Sequence, residues 1–215
     1  MAIIDFLEKN AKLYPTEISL VEINPENQPE HAVTWREYNL IETSSTERYR
    51  REMTWKEFDI KANRFANLLL TRGIKKGDRV AILLMNCLEW LPIYFGILKT
   101  GALAVPLNYR YTAEEIKYCL ELADVSALIF GPEFIGGVEQ VFDHLHNVKT
   151  FFYVGNNKPT FADSYEKLVS YCSSGAPPVE LCDDDDAAIY FSSGTTGFPK
   201  AILHSHKALV SSCLT

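Results

Sequence analysis

The sequence predicts an α/β fold, a mostly parallel sheet with helices on both faces. Three observations carry this. Short apolar runs alternate with segments of helical periodicity; two of those segments open on capping boxes; and the apolar runs are continuous, as in strands covered on both sides. Right-handed crossovers between such strands make the sheet mostly parallel.

The elements follow in order. Thr54 to Glu57 is a capping box, and Trp55, Phe58, Ala62, Phe65 and Leu69 then recur at helical spacing until Gly73 supplies a left-handed stop. Arg79 to Leu84 reads as a buried strand. The next helix carries Leu88, Leu91, Phe95 and Leu98, with Pro92 in its first turn or kinking it, and ends at Gly101. Ala102 to Leu107 is a strand. Thr112 to Glu115 is a second capping box, opening a helix with Ile116, Cys119, Leu120 and Ala123 on one face. Then come a strand at 127–130, a weaker helix with Val138, Val141 and Leu145, a strand at 151–154, a short helix near 165–171 and a surface connection at 173–178. Residues 18–42 read as a strand pair, and the echo of Thr54–Phe58 in Thr34–Tyr38 as coincidence.

Composition narrows the function. The chain has 215 residues, 47% of them apolar, enough for one large domain or two small ones with a real core. Its 21 basic and 28 acidic residues leave a net charge of −7, and the one basic cluster, at 48–51, is flanked by Glu47 and Glu52. Nucleic-acid binding is disfavoured. Five cysteines without a CxxC pair, and no leader or targeting segment, point to reduced thiols and a cytoplasmic protein. Residues 90–107 approach membrane-span length, but Pro92, Gly96, Lys99, Gly101 and Pro106 interrupt them, so no membrane span is expected.

The segment richest in chemistry is Ala187 to His206. An apolar strand runs directly into Ser192, Ser193, Gly194, Thr195, Thr196 and Gly197, then Phe198, Pro199 and Lys200. Glycines permit close backbone approach, four hydroxyls add donors, and Lys200 adds charge. Such a loop suits phosphate. It also leaves the end of a parallel strand, where open α/β sheets bind ligands. It is not a Walker A loop, since Pro199 precedes Lys200 and Ala201 follows it.

These residues resemble the adenylate-forming superfamily: acyl- and aryl-CoA synthetases, firefly luciferase and the adenylation domains of peptide synthetases. The phosphate-loop motif YFSSGTTGFPK and the block LKTGALAVPLN (98–108) carry the resemblance, which covers most of the chain from Thr54 onward. Ala201 stands where the family commonly has Gly, and the acidic run 183–186 falls where acidic residues often precede this strand. The resemblance implies that a carboxylate, most readily a fatty acid, attacks the α-phosphate of ATP with Mg²⁺ present. Pyrophosphate leaves, and the acyl-adenylate passes to the thiol of coenzyme A. Ser192 to Gly197 and Lys200 would cradle the phosphates, Lys200 acting catalytically. His206 matches a histidine common there, or simply begins a helix.

Other features point less far. His144 with His146, and His204 with His206, are HxH pairs that could each offer two metal ligands on a strand, yet no third ligand is signposted and no metal site is assigned. Adjacent aspartates at 183–186 diverge, which favours a solvated loop. Trp90, Tyr94 and Phe95 sit at core spacing.

The resemblance also places the adenine pocket, an acidic residue associated with Mg²⁺, a ribose-binding aspartate, a hinge and a second catalytic lysine beyond Thr215. Residues 1–215 are therefore expected to be the N-terminal portion of the large domain of an acyl-adenylate-forming enzyme, without its remainder or lid domain. By itself this portion should be inactive, and could self-associate through a truncated face carrying Ile189, Phe191, Ile202 and Leu203. Two alternatives stay open: a non-catalytic module binding phosphate or a partner chain, and a peptide-synthetase adenylation domain, which Asn108 weakly disfavours.

Overall fold

The computed structural model describes residues 1–24, 49–192 and 199–214. Helix α1 (Ile4–Leu13) leads into strand β1 (Ile18–Ile23), which pairs antiparallel with β2 (Arg50–Thr54). The partner of β1 is thus remote. A pair confined to residues 18–42 is not what forms around β1, and residues 25–42, with the segment 34–38, lie outside the described residues.

Thr54 ends β2 and caps α2 (Trp55–Thr71): its hydroxyl accepts the Glu57 amide at 3.3 Å, and the Glu57 carboxylate accepts the Thr54 amide at 2.8 Å. The same reciprocal pair later joins Thr112 and Glu115. After α2 come β3 (Arg79–Leu83), α3 (Trp90–Lys99) and β4 (Leu103–Pro106). Pro92 lies in the first turn of α3, where its missing N–H costs nothing. The turn from α3 to β4 needs a left-handed residue, and Gly101 supplies it at φ +75°.

The second capping box opens α4 (Ala113–Leu122), followed by β5 (Ala127–Phe130), α5 (Ile135–Val141), β6 (Thr150–Tyr153), β7 (Asp163–Ser164) and α6 (Tyr165–Ser170). The weaker helix is shorter than its apolar spacing suggested, and a 3₁₀ turn at Phe142–His144 carries the chain on to Leu145. Last come β8 (Asp186–Ser192), β9 (Lys200–Ser205) and α7 (His206–Leu214).

Among the described residues seven strands form the main sheet in the order β7-β6-β5-β3-β4-β8-β9. Every pairing is parallel except β8 with β9, which is antiparallel. Alternate strand residues feed two cores. Val80, Ile82, Ile129 and Phe152 pack under Phe65, Ile93, Ile97 and Tyr165 on the side of α2, α3 and α6, whereas Ala81, Leu83, Leu128 and Phe130 pack under Ile116, Leu120 and Val138 on the side of α4 and α5. This double cover is why the strands read as continuous apolar runs. Seven of the ten residues of α3 are buried, Ile93, Tyr94 and Ile97 among them, whereas Leu91 and Phe95 of the stripe 88-91-95-98 are only partly buried. No helix among the described residues is long and apolar enough to cross a membrane.

Candidate functional site

The ends of the Ser/Gly/Thr segment are set by the β8–β9 hairpin. Ser192, the last residue of β8, is the direct cross-strand partner of Lys200, the first of β9. Side chains of such partners project from the same face with Cβ atoms about 5 Å apart. The two terminal members of the predicted phosphate group are thereby brought together. Ser193, Gly194, Thr195, Thr196 and Gly197 lie outside the described residues. Lys200 is exposed and Pro199 beside it is buried.

β8 runs parallel to β4, with Ala104 opposite Ala188, so Ser192 lies at the carboxyl end of a strand in an open sheet. That is the edge at which such sheets receive ligands. Strand alternation places Tyr190, Ser192, Lys200, Ile202 and His204 on one face and Ile189, Phe191, Ala201 and Leu203 on the other. Ile202 and Leu203 are 46% and 55% exposed, but Ile189 and Phe191 are partly buried against the core under α4. The expectation that all four are uncovered holds only for the β9 pair, because the β8 residues share a face with Val105 and Leu107.

The aspartate run is a solvated loop, with the Asp184 side chain 81% exposed, but it also makes specific contacts. Asp185 accepts from Lys76 Nζ at 2.6 Å and from the Cys182 amide at 2.9 Å, and the lysine contact holds its carboxyl below the usual range. Asp184 lies 3.9 Å from Lys207. The carbonyls of Asp183 and Asp185 accept the amides of Lys207 and His206, satisfying orphan donors at the start of α7. The run docks a helix whose start is remote from it in sequence, a relation composition could not show.

His206 begins α7, as one reading allowed. It is 1% exposed, and neither ring nitrogen has a hydrogen-bond partner among the described residues. His204 instead lies in β9, its ring 5.2 Å from that of Tyr190. The two histidines therefore do not face one way along a strand. Among the described residues no group of three or more His, Cys, Asp or Glu converges as a metal site. The five cysteines are free thiols.

One feature escaped sequence reasoning. Tyr94, placed there as a core aromatic, is 6% exposed, and its hydroxyl lies 2.7 Å from that of Tyr190, two residues before Ser192. The available signal was the residue type, since a buried phenol needs a partner that Phe or Leu would not.

Residues 21–215 match the sequence profile of the AMP-binding enzyme family, and the chain belongs to that family. It is 34% identical over 149 residues to the long-chain-fatty-acid–CoA ligase FadD13 of Mycobacterium tuberculosis, covering 69% of this chain and 28% of that protein. It is 35% identical over 173 residues to the crotonobetaine/carnitine–CoA ligase of Citrobacter koseri, covering 75% of this chain and 32% of that protein. The chain thus spans less than a third of the length of these relatives. Among solved structures it is similar to the anthranilate CoA ligase AuaEII in complex with anthranoyl-AMP, with a TM-score of 0.81 and 26% identity over 96% of this chain and 35% of that one. A Mycobacterium tuberculosis fatty acyl CoA synthetase gives a TM-score of 0.74 at 26% identity over 95% of this chain and 34% of that one.

Proposed function

We propose that Ser192 to Gly197 and Lys200 hold the β- and γ-phosphates of ATP, and that a protein containing these residues is an AMP-forming acid–thiol ligase. The observation that carries the reading is the cross-strand pairing of Ser192 with Lys200 at the carboxyl end of β8, bracketing the Ser-Gly-Thr-Thr-Gly segment in a member of this family. A carboxylate oxygen attacks the α-phosphorus, the bond to the β-phosphate breaks, and pyrophosphate leaves. Lys200 and the loop donors neutralise charge growing on that leaving group. The thiol of coenzyme A then attacks the acyl carbon and AMP departs.

A fatty acid is the substrate class we favour, since relatives named as long-chain and medium/long-chain fatty-acid CoA ligases support it. The relatives named for hydroxybenzoate and carnitine keep other acids in the test panel. ATP would bring Mg²⁺ on its own phosphates. The described residues contain no ligand cluster for it, so no step is assigned to a protein-held ion. The adenine and acyl pockets, the hinge and a lid domain belong, in this reading, to sequence outside residues 1–215.

The test is carboxylate-dependent exchange of labelled pyrophosphate into ATP by a protein carrying these residues together with the remaining length of its relatives. Lys200→Ala should slow adenylate formation by about 10²-fold and leave thioester formation from supplied acyl-adenylate nearly intact. Exchange with no acid of a fatty and aromatic panel would refute the ligase reading. Equal losses in both half-reactions would make Lys200 structural.

A further inference from the structure

The hairpin that brackets the phosphate segment forms an edge of the sheet. Among the described residues β9 is an edge strand bonded only to β8, and residues 200–203 are exposed. β8 in turn registers with β4 through one residue pair, Ala104 with Ala188, four positions before Ser192. Beyond Ala188 side chains hold both strands: Ile189 and Phe191 against the core under α4, and Tyr190 on the opposite face.

Tyr190 makes the crossing. Its hydroxyl meets that of Tyr94 at 2.7 Å, and its ring lies 5.2 Å from the His204 ring at 67°. Tyr94 is a rigid anchor: it belongs to the buried helix α3, stacks on Trp90 at 5.5 Å and meets Phe95 edge-on at 5.9 Å. Burial keeps its phenol neutral, so one hydroxyl donates and the other accepts. By alternation, Tyr190 and His204 lie on the face that carries Ser192 and Lys200. A phenylalanine at position 94 would fill the core as well as tyrosine does; the added hydroxyl finds its partner two residues from the site.

We infer that Tyr94, Tyr190 and His204 are positioning residues of the phosphate site: the hydroxyl pair fixes the Ser192–Lys200 pair relative to α3, and the ring contact fixes β8 to β9. The inference rests on the phosphate reading above. Its physical basis is preorganisation, since donors displaced by about 1 Å lose much of their effect on a bound anion.

The test is an NMR titration of the full 215-residue chain with inorganic pyrophosphate, paired with amide hydrogen exchange. In the wild type, pyrophosphate should shift resonances of residues 190–204, and Lys200→Ala should abolish the shifts. Tyr94→Phe should keep the unfolding transition within a few degrees, speed exchange at Phe191, Ser192 and Ala201 about tenfold, and weaken pyrophosphate binding about five- to tenfold. Tyr190→Phe, at the less buried end, should do the same and carries the test should Tyr94→Phe not fold. The double variant should lose no more than either single one, because each already breaks the same bond. Wild-type binding and exchange in both single variants would overturn the positioning role, while loss in Lys200→Ala would leave the phosphate reading standing. A wild-type chain whose hairpin ignores pyrophosphate would sink both.

Discussion

The ammonium of Lys99 lies 2.9 Å from the carboxylate of Asp59, with 1% of the lysine side chain exposed. Glu8 completes the contact at 2.7 Å, so one buried cation joins α1, α2 and α3. The carboxylates keep 32% and 22% exposure, which lets water share their solvation. Lys99→Ala should therefore cost about 3 kcal/mol, toward the low end for a broken buried pair, through lost packing and two carboxylates left without their cation, although Asp59 keeps the hydrogen bond from Asn63 Nδ2. Asp59→Asn, which leaves Glu8 on the lysine, should cost less. Urea unfolding of the three proteins measures the order, and a Lys99→Ala as stable as wild type would show that the contact contributes nothing.

Gly96 sets how closely α3 approaches α2. A Cβ there would stand 2.9 Å from the Ala62 carbonyl oxygen and 3.0 Å from Phe65 Cδ1, and backbone cannot yield as a flexible side chain can. Gly96→Ala should force the helices apart and cost about 1–3 kcal/mol. Gly137→Ala is the contrast. Its Cβ would meet only Ile116 Cδ1, at 3.5 Å, in helical backbone, so it should be neutral or gain up to about 1 kcal/mol. Thermal unfolding of both variants checks the difference in sign.

Much of the fold is legible because its signals are local. Thr54 and Thr112 lie three residues from their glutamate partners, Gly73 and Gly101 stand at turns that need positive φ, and each core strand carries its cover in its own composition. What escapes depends on distant pairs. β1 finds its partner across residues 25–48, Lys99 reaches Glu8 over 91 positions, and Tyr94 meets Tyr190 over 96. The candidate site divides in the same way. Its residue types and order are visible in the sequence, whereas the pairing of Ser192 with Lys200 needs the antiparallel hairpin, and the contacts of the aspartate run need Lys76 and α7.

The two capping boxes offer a test of additivity. Thr54→Ala removes the acceptor for the Glu57 amide, and Thr112→Ala the acceptor for the Glu115 amide. Each should lower stability by about 1 kcal/mol. The boxes share no partner, so the double variant should lose about 2 kcal/mol. A deficit well below the sum, measured by denaturant midpoint at constant slope, would mean that one helix start already frays in the native state.

His206 should make stability pH-dependent just below neutrality. Burial lowers the pKa of its imidazole from the ordinary 6.5, and this outweighs the opposing pull of Asp185 and Asp5, with Lys76 and the N-terminal ammonium adding to the lowering. The unfolded chain takes up that proton near its ordinary pKa, whereas the folded chain resists it. Stability is thus complete above about pH 6.5 and falls as the pH drops through that value, until the folded-state pKa is passed. The slope for one proton cannot exceed about 1.4 kcal/mol per pH unit. His206→Leu places an apolar side chain where two ring nitrogens have no partner among the described residues, so it should match or exceed wild-type stability at pH 7.5. Because the other histidines are common to both proteins, the wild-type-minus-variant difference between pH 7.5 and 5 isolates His206. That difference should move steadily against the wild type as the pH falls, and a flat difference would show that His206 takes up its proton as readily folded as unfolded.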